Sequence, residues 1–243
     1  MRFETISLLL LILTSFTFII TSNKAFENIK YERSGFIKDS PPPSPSPPMR
    51  CNIAAICLLR IYEKDKAELS TLETEQWIHY MLFAGVDKIY LYDAFERREE
   101  SIKHWVSSIG LSNVFYIDWH EHTPYTLQGT HVSAYQHALD HVQCDWHIAM
   151  DIDEYPFVIE DKTRGFLRRL MKNATHSEYS FENYVFSGAP QLKTWLAERV
   201  FRRYPNKFNQ LSKPIYRPTD IKIAQMHHNI LKKSASRHVS NLT

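Results

Sequence analysis

Four short apolar runs rich in β-branched residues, separated by longer amphipathic runs, dominate the chain from residue 52 to residue 150. A short apolar run bounded by turn residues predicts a buried strand, and a longer run with a helical apolar period predicts a covering helix. The strands are predicted at 53–59, 88–92, 114–119 and 147–150. This alternation predicts an α/β fold.

The runs between these strands predict helices at 69–84, 97–108 and 133–143. Gly85 and Gly110 follow the first two, where a residue with positive φ commonly ends a helix. The alternation of strands and helices is less regular after residue 153. We expect that half to bind a second substrate, the acceptor. Its predicted elements are helices at 163–171 and 192–201, a strand at 184–187, and extended segments at 213–216 and 221–226.

The size of the chain limits it to one catalytic domain, predicted at 51–243. A chain of 243 residues with 44% hydrophobic content can bury one good core. Its net charge of +2 comes from scattered charges and not from a basic stripe. Nucleic acid is therefore not the expected partner.

An uncharged apolar segment at 5–23 predicts a membrane anchor. As a helix it reaches ~28 Å, close to the ~27 Å hydrocarbon core of a thin bilayer. Residues 1–4 then form a short cytoplasmic tail. The alternative is a cleaved signal peptide, although no small-residue cleavage site is evident. The basic residues that follow, such as Lys24 and Lys30, by themselves oppose a lumenal domain.

The Pro-rich segment 24–50 predicts an extended stem between the anchor and the domain. Two sequons, Asn173-Ala174-Thr175 and Asn241-Leu242-Thr243, favour a lumenal domain. Only three cysteines occur, and Cys51 and Cys57 lie six residues apart on one predicted strand. No disulfide framework is expected from them.

The segment 146–155 is an apolar strand that runs directly into Asp151, Asp153 and Glu154. If strand alternation continues, Asp151 and Asp153 point the same way, so that one binds a hard cation directly and the other acts directly or through water. Carboxylate oxygens suit Mg²⁺ and Mn²⁺, which keep open positions for the oxygens of a diphosphate. The simpler alternative is an acidic turn that caps the next element.

Ligands of open α/β sheets bind at the carboxyl ends of the strands. The residues at these ends are Arg60, Asp93, His120 and Asp151. Arg60 and Asp93 are accordingly predicted to bind substrate, with an ordinary turn acid as the alternative for Asp93.

A zinc hydrolase is a competing interpretation. His137 and His141 stand four residues apart on a predicted helix, and His120 and His122 precede it. Ala138 occupies the position where a zinc-protease helix carries its glutamate, so the signal is weak.

Several separated segments resemble glycosyltransferase family 92 and its relatives in the broad family-2-like group. They are 77–80, 85–93, 151–157, 198–203 and 213–218, followed by His227. The resemblance implies a GT-A-type nucleotide-sugar-binding fold, a Rossmann-like mixed sheet flanked by helices. It also implies a type II Golgi membrane enzyme that uses Mn²⁺ (or Mg²⁺) to transfer a sugar, such as galactose, from a UDP-sugar to a glycan or glycoprotein acceptor.

By this resemblance Asp151 and Asp153 are the metal motif, and His227 completes the coordination, with His228 as its competitor. Asp93 is expected to face the nucleoside. Basic residues expected to neutralise the diphosphate are Arg202, Arg203 and Lys213, each of which also suits a solvated basic face.

If the transfer inverts the anomeric centre, a carboxylate must deprotonate the acceptor hydroxyl. Glu182 and Glu198 are the candidates, and an ion pair with Arg199 is the alternative for Glu198. One departure affects donor specificity, because the family's Asn-Glu pair after the first strand is missing and only Glu63 or Glu68 stands there. A third class remains, a catalytically silent, lectin-like protein that keeps the fold.

Overall fold

The computed structural model describes residues 50–59, 71–95, 97–120, 127–188 and 200–242. The predicted tail, anchor and nearly all of the predicted stem lie outside these ranges. Within them, no helix is both long enough and apolar enough to cross a bilayer.

A seven-stranded mixed sheet organises the domain, with strand order β3-β2-β1-β4-β6-β5-β9. Its strands are β1 Ile53–Leu59, β2 Lys88–Asp93, β3 Val114–Asp118, β4 Trp146–Ala149, β5 Glu178–Gly188, β6 Val200–Tyr216 and β9 Arg237–Leu242. Two further short strands, β7 Ile221–Ile223 and β8 Ile230–Leu231, pair with each other. The four helices of the described part are α1 Thr71–Ala84, α2 Lys103–Ser108, α3 Leu127–His141 and α4 Phe166–Lys172, with 3-10 turns at Arg98–Glu100 and Pro218–Asp220.

The first four strands run parallel to one another, an arrangement that needs crossover connections such as the helices between them. Every residue of β1 and of β4 is buried, which is typical of a parallel strand covered on both faces. One core cluster contains Trp77 and Met81, whereas a second contains Tyr135 of α3. The α/β prediction is confirmed for this half, and the predicted bounds of β1 match residue for residue.

The second half of the sheet is antiparallel where β6 pairs with β4 and with β5. The strand predicted at 184–187 is the end of the longer β5. The predicted helix 192–201 is wrong at its end, because residues 200 and 201 belong to β6; residues 189–199 lie outside the described ranges. Propensity read locally missed the long cross-strand pairing that makes this segment extended.

The predicted glycine helix ends are confirmed. Gly85 has φ 109° and Gly110 has φ 65°, which L side chains rarely adopt. A Cβ on Gly85 would also lie 2.9 Å from the Cα of Gly165, so α1 and the start of α4 approach through these two glycines.

A disulfide joins Cys51 to Cys144, contrary to the expectation of no disulfide framework. The sequence argument weighed only Cys51 against Cys57, which share one strand. Register explains the actual pair: Ile53 of β1 lies opposite Trp146 of β4, and each cysteine stands two residues before its member of that pair. The third cysteine, Cys57, is free and buried.

Candidate active site

The acidic residues after β4 form a tight turn, here called the carboxylate turn, residues 151–154. The Glu154 amide donates a hydrogen bond to the Asp151 carbonyl oxygen at 3.1 Å. The strand itself ends at Ala149, so the strand alternation assumed for Asp151 and Asp153 does not apply. Asp151 is half-buried whereas Asp153 is exposed. The turn nevertheless lies at the carboxyl edge of the parallel strands, as predicted.

Lys213 is the cation of this turn. Its Nζ lies 2.7 Å from Asp151 Oδ2 and 3.2 Å from Glu154 Oε2, and its side chain is only 4% exposed. Antiparallel pairing places it there, because Ile215 of β6 lies opposite Ile148 of β4. Burial alone lowers the pKa of Lys213, but the two carboxylates outweigh burial and raise that pKa. The lysine predicted to neutralise a diphosphate is thus held charged by carboxylates of the protein.

Glu154 ties the turn to its surroundings, although sequence reasoning assigned it no role. Its Oε2 accepts the Asp151 amide at 3.1 Å, and its Oε1 accepts the side-chain amide of Asn183 at 3.2 Å. Burial, and then the neighbouring Asp151 charge, raises the pKa of Glu154 to about 7, against the opposing effect of Lys213. The adjacent carboxylates in the 151–154 run were the sequence signal for this residue.

Helix α1 holds the chain that follows the turn. Trp77 Nε1 donates to the Glu154 carbonyl oxygen at 3.0 Å, and the Tyr80 hydroxyl donates to the Pro156 carbonyl oxygen at 2.6 Å. The rings of Tyr80 and Tyr155 also pack edge to face, with centroids 5.0 Å apart. Because Trp77 is fully buried, these contacts anchor the turn to the core.

Two observations bear on whether these residues suit a metal ion. Asp151 Oδ1 is buried and has no hydrogen-bond partner among the described residues, so one carboxylate oxygen stays available. Nδ1 of His227 lies 3.0 Å from the Ser212 carbonyl oxygen, which can only accept; the ring proton therefore sits on Nδ1. Burial, reinforced by Lys213, lowers the pKa of His227 and favours the neutral ring with a free lone pair on Nε2.

The donor chemistry therefore suits Mg²⁺ or Mn²⁺, and a histidine oriented through a carbonyl is the usual form of a metal ligand. In the described residues, however, no group of three or more His, Cys, Asp or Glu side chains converges as a metal site. A metal held here would need further oxygens from a substrate.

Two other predicted substrate and base residues, Asp93 and Glu182, have described side chains. Asp93 is buried, and its Oδ2 accepts the Ile102 amide and the Tyr116 hydroxyl, both at 3.1 Å. Glu182 Oε2 accepts the Tyr184 hydroxyl at 3.2 Å. Their predicted roles toward substrate stay predictions.

Four predicted residues have no described side-chain geometry. Arg60 and Glu198 lie outside the described ranges. Arg202 and Arg203 belong to β6, where their backbones pair with Ser187 and Phe186. Their predicted roles also stay predictions.

The helix histidines of the zinc interpretation take part in aromatic packing. The rings of His137 and His141 lie 4.3 Å apart, and His137 Nδ1 forms a 2.9 Å hydrogen bond with the Tyr92 hydroxyl. His120 Nδ1 lies 2.5 Å from Asp118 Oδ1 instead, and His122 is outside the described ranges. In the part of the chain with described side chains, these histidines do not form a three-ligand zinc site.

Three solved structures share a loose overall likeness with this chain. HddC from Yersinia pseudotuberculosis has a TM-score of 0.42 and 10% identity, over 70% of this chain and 77% of that chain. The bifunctional IspDF from Campylobacter jejuni has 0.35 and 12%, over 70% and 42%. S. aureus TarS 1–349 has 0.36 and 12%, over 69% and 47%. Scores below 0.5 add nothing to an assignment of function.

A comparison with curated proteins found no match. The family comparison is decisive, because the model of glycosyltransferase family 92 matches residues 57–241. That span contains the whole carboxylate turn, Lys213 and His227. Membership of a glycosyltransferase family also replaces the zinc hydrolase interpretation. The chain belongs to glycosyltransferase family 92, and it is a glycosyltransferase by family.

Proposed function

We propose that this protein is a metal-dependent hexosyltransferase that moves a sugar, such as galactose, from a UDP-sugar to a glycan or glycoprotein acceptor. The single observation that carries the proposal is the available Asp151 Oδ1 in a turn at the carboxyl edge of a parallel sheet, within a glycosyltransferase family match. Ligands of open α/β sheets bind at that edge.

Asp151, Asp153 and His227 are the proposed ligands of Mn²⁺ (or Mg²⁺), with Asp153 exposed at the rim of the turn. The ion would stabilise the negative charge that develops on the diphosphate leaving group. Lys213 keeps Asp151 in place through its 2.7 Å contact and adds positive charge beside the same carboxylate. Glu182 is the proposed base within the described residues, and Glu198 remains a second candidate.

The secretory pathway is the proposed location, with segment 5–23 as a single-pass type II anchor and the catalytic domain in the Golgi lumen. The Cys51–Cys144 disulfide supports this proposal, since disulfides persist in oxidising compartments. Asn173 and Thr175 of the first sequon are both exposed, which suits an N-glycan.

The test is nucleotide release from UDP-sugars by the full-length chain, with Mn²⁺ or with EDTA. Asp153→Asn is the informative variant, because an exposed side chain changes with little cost to folding. We expect release from one donor, lost in EDTA and lowered about 10²-fold or more by the variant.

The matched control is Asp140→Asn, also an exposed aspartate, near the C-terminal end of α3 beside Cys144. It should release nucleotide like the wild type. Release that EDTA leaves unchanged would contradict the metal proposal. No release from any donor or acceptor by a folded chain would favour the catalytically silent alternative.

A further inference from the structure

Four large apolar side chains are exposed on two segments, the chain after the carboxylate turn and strand β5. Phe157 and Ile159 follow the turn and are 39% and 50% exposed, and Val185 and Phe186 of β5 are 40% and 41% exposed. Exposed apolar surface beside polar groups commonly marks a binding site.

The two segments meet through an aromatic pair. The rings of Phe157 and Tyr184 lie 6.3 Å apart at 46°. We call these two side chains the aromatic pair. The Tyr184 hydroxyl donates to Glu182 Oε2 at 3.2 Å, which restrains the ring at its polar end. The pair therefore presents ring surface that is fixed by the β5 strand and by the chain leaving the turn.

Two polar side chains precede Tyr184 on β5. Asn183, the neighbour of Tyr184, donates to Glu154 Oε1 of the carboxylate turn at 3.2 Å. Glu182, two residues before Tyr184, holds its carboxylate at the Tyr184 hydroxyl. Aromatic faces edged by a few carboxylate and amide groups suit a pyranose, which has an apolar C–H face and a rim of hydroxyls.

The position of the pair distinguishes an acceptor from a donor. Register places Tyr184 opposite Phe208, well past the Ile148–Ile215 pair at the end of β4. Tyr184 thus lies on the β5–β6 ribbon where it continues beyond the carboxyl edge, and Phe157 packs against it from the segment after the carboxylate turn. A nucleotide binds at the ends of the parallel strands themselves.

We infer that Phe157 and Tyr184 form the subsite for the sugar of the acceptor glycan that receives the transferred residue. This rests on the proposed function, since it takes the acceptor to be a glycan. The rings hold the apolar face of the acceptor sugar, and the Glu182 carboxylate at the Tyr184 hydroxyl is the polar group for one of its hydroxyls. Glu182 is then next to the acceptor, where a base for its hydroxyl is required.

The test is saturation-transfer NMR on the full-length chain, in a detergent without a sugar headgroup. The probes are the methyl β-pyranosides of galactose, glucose and N-acetylglucosamine, together with lactose. The variants are Phe157→Ala and Tyr184→Ala. The control is Phe115→Ala, because Phe115 is also exposed (37%) and stacked on a tyrosine, Tyr90, but it lies on β3 at the far edge of the sheet.

We expect at least one probe to bind the wild type and the Phe115→Ala control equally, and to bind each pair variant about tenfold more weakly. UDP, followed in the same samples, should bind all four proteins alike. Equal probe binding by the pair variants would overturn the inference, and so would the absence of binding by every probe to a folded wild type.

This design separates the inference from the proposed function. If UDP binds and donor turnover proceeds while the pair variants bind saccharide normally, only the subsite is wrong. If neither UDP nor any UDP-sugar is bound or turned over, the proposed function itself fails. A Phe157→Tyr variant, which keeps a ring, should retain probe binding, and unchanged UDP binding by the alanine variants excludes misfolding as the cause of their loss.

Discussion

The parallel and antiparallel halves of the sheet differ in what their side chains do. In the parallel half, β1 and β4 are buried along their whole lengths and pair without a register shift. In the antiparallel half, the β5–β6 pair has three register shifts and carries half-exposed polar and aromatic side chains. The first half supplies most of the core, and the second supplies Lys213, Asn183 and Tyr184.

This difference shows which parts of the candidate site each half of the sheet supplies. The carboxylate turn is attached to the rigid half through β4 and Trp77, so its backbone position is well determined. Its partners come from the half whose irregular pairing allows side chains to be presented at an edge. Substitutions should therefore affect stability in the parallel half and activity in the ribbon.

The largest stability effect should come from the disulfide at the start of the parallel half. Replacing Cys51 and Cys144 together by Ser removes a link across 93 residues of sequence and should lower the free energy of unfolding by about 4–5 kcal/mol. Urea unfolding of the full chain measures it. Dithiothreitol should destabilise the wild type similarly and leave the double variant unchanged; a wild type indifferent to the reductant would contradict the prediction.

A pair of truncations compares the two halves directly. Leu91→Ala, at a fully buried position of β2, should lower the free energy of unfolding by about 3 kcal/mol through lost burial and a cavity. Val185→Ala on the exposed ribbon should change it by less than about 0.5 kcal/mol. Equal losses in urea unfolding would show that the ribbon is packed as tightly as the core, which would contradict the difference between the two halves.

His147 of β4 should make the parallel half sensitive to acid. It is fully buried, with Nε2 donating to the Val142 carbonyl oxygen at 3.1 Å, and burial lowers its pKa to about 4. The unfolded chain binds a proton at higher pH than the folded one. The contribution of His147 to the free energy of unfolding is therefore fully present above pH ~6.5. It falls as pH drops toward ~4, by about 2 kcal/mol near pH 5.

The measurement is urea unfolding of the wild type and His147→Gln at about pH 7.5 and about pH 5. Because the glutamine cannot titrate, the difference between the two proteins isolates the histidine. The acid loss should be smaller in the variant by roughly the same 2 kcal/mol. Identical pH dependence in both proteins would assign acid sensitivity to other groups.

Local pattern predicted most of the parallel half, because its strands and helices carry their own apolar period, although the helix predicted at 97–108 is a 3-10 turn at Arg98–Glu100 followed by α2. The bounds of β1, the helix ends at Gly85 and Gly110, and the place of Asp151 all follow from short segments. The register between strands that are distant along the chain could not be predicted from the sequence. The Lys213–Asp151 contact spans 62 residues, and the Cys51–Cys144 pair depends on β1 and β4 being neighbours. Local propensity did not predict the β5–β6 ribbon, because its bulged pairing is a tertiary feature.

The link between Cys51 and Cys144 also determines how the protein responds to a protease. The disulfide makes a covalent ring of everything between these two residues, including α1 and β2. A single cut inside that ring leaves two pieces that migrate as one chain until a reductant is added. The carboxylate turn, a few residues past Cys144, thus stays covalently joined to the start of β1 after such a cut.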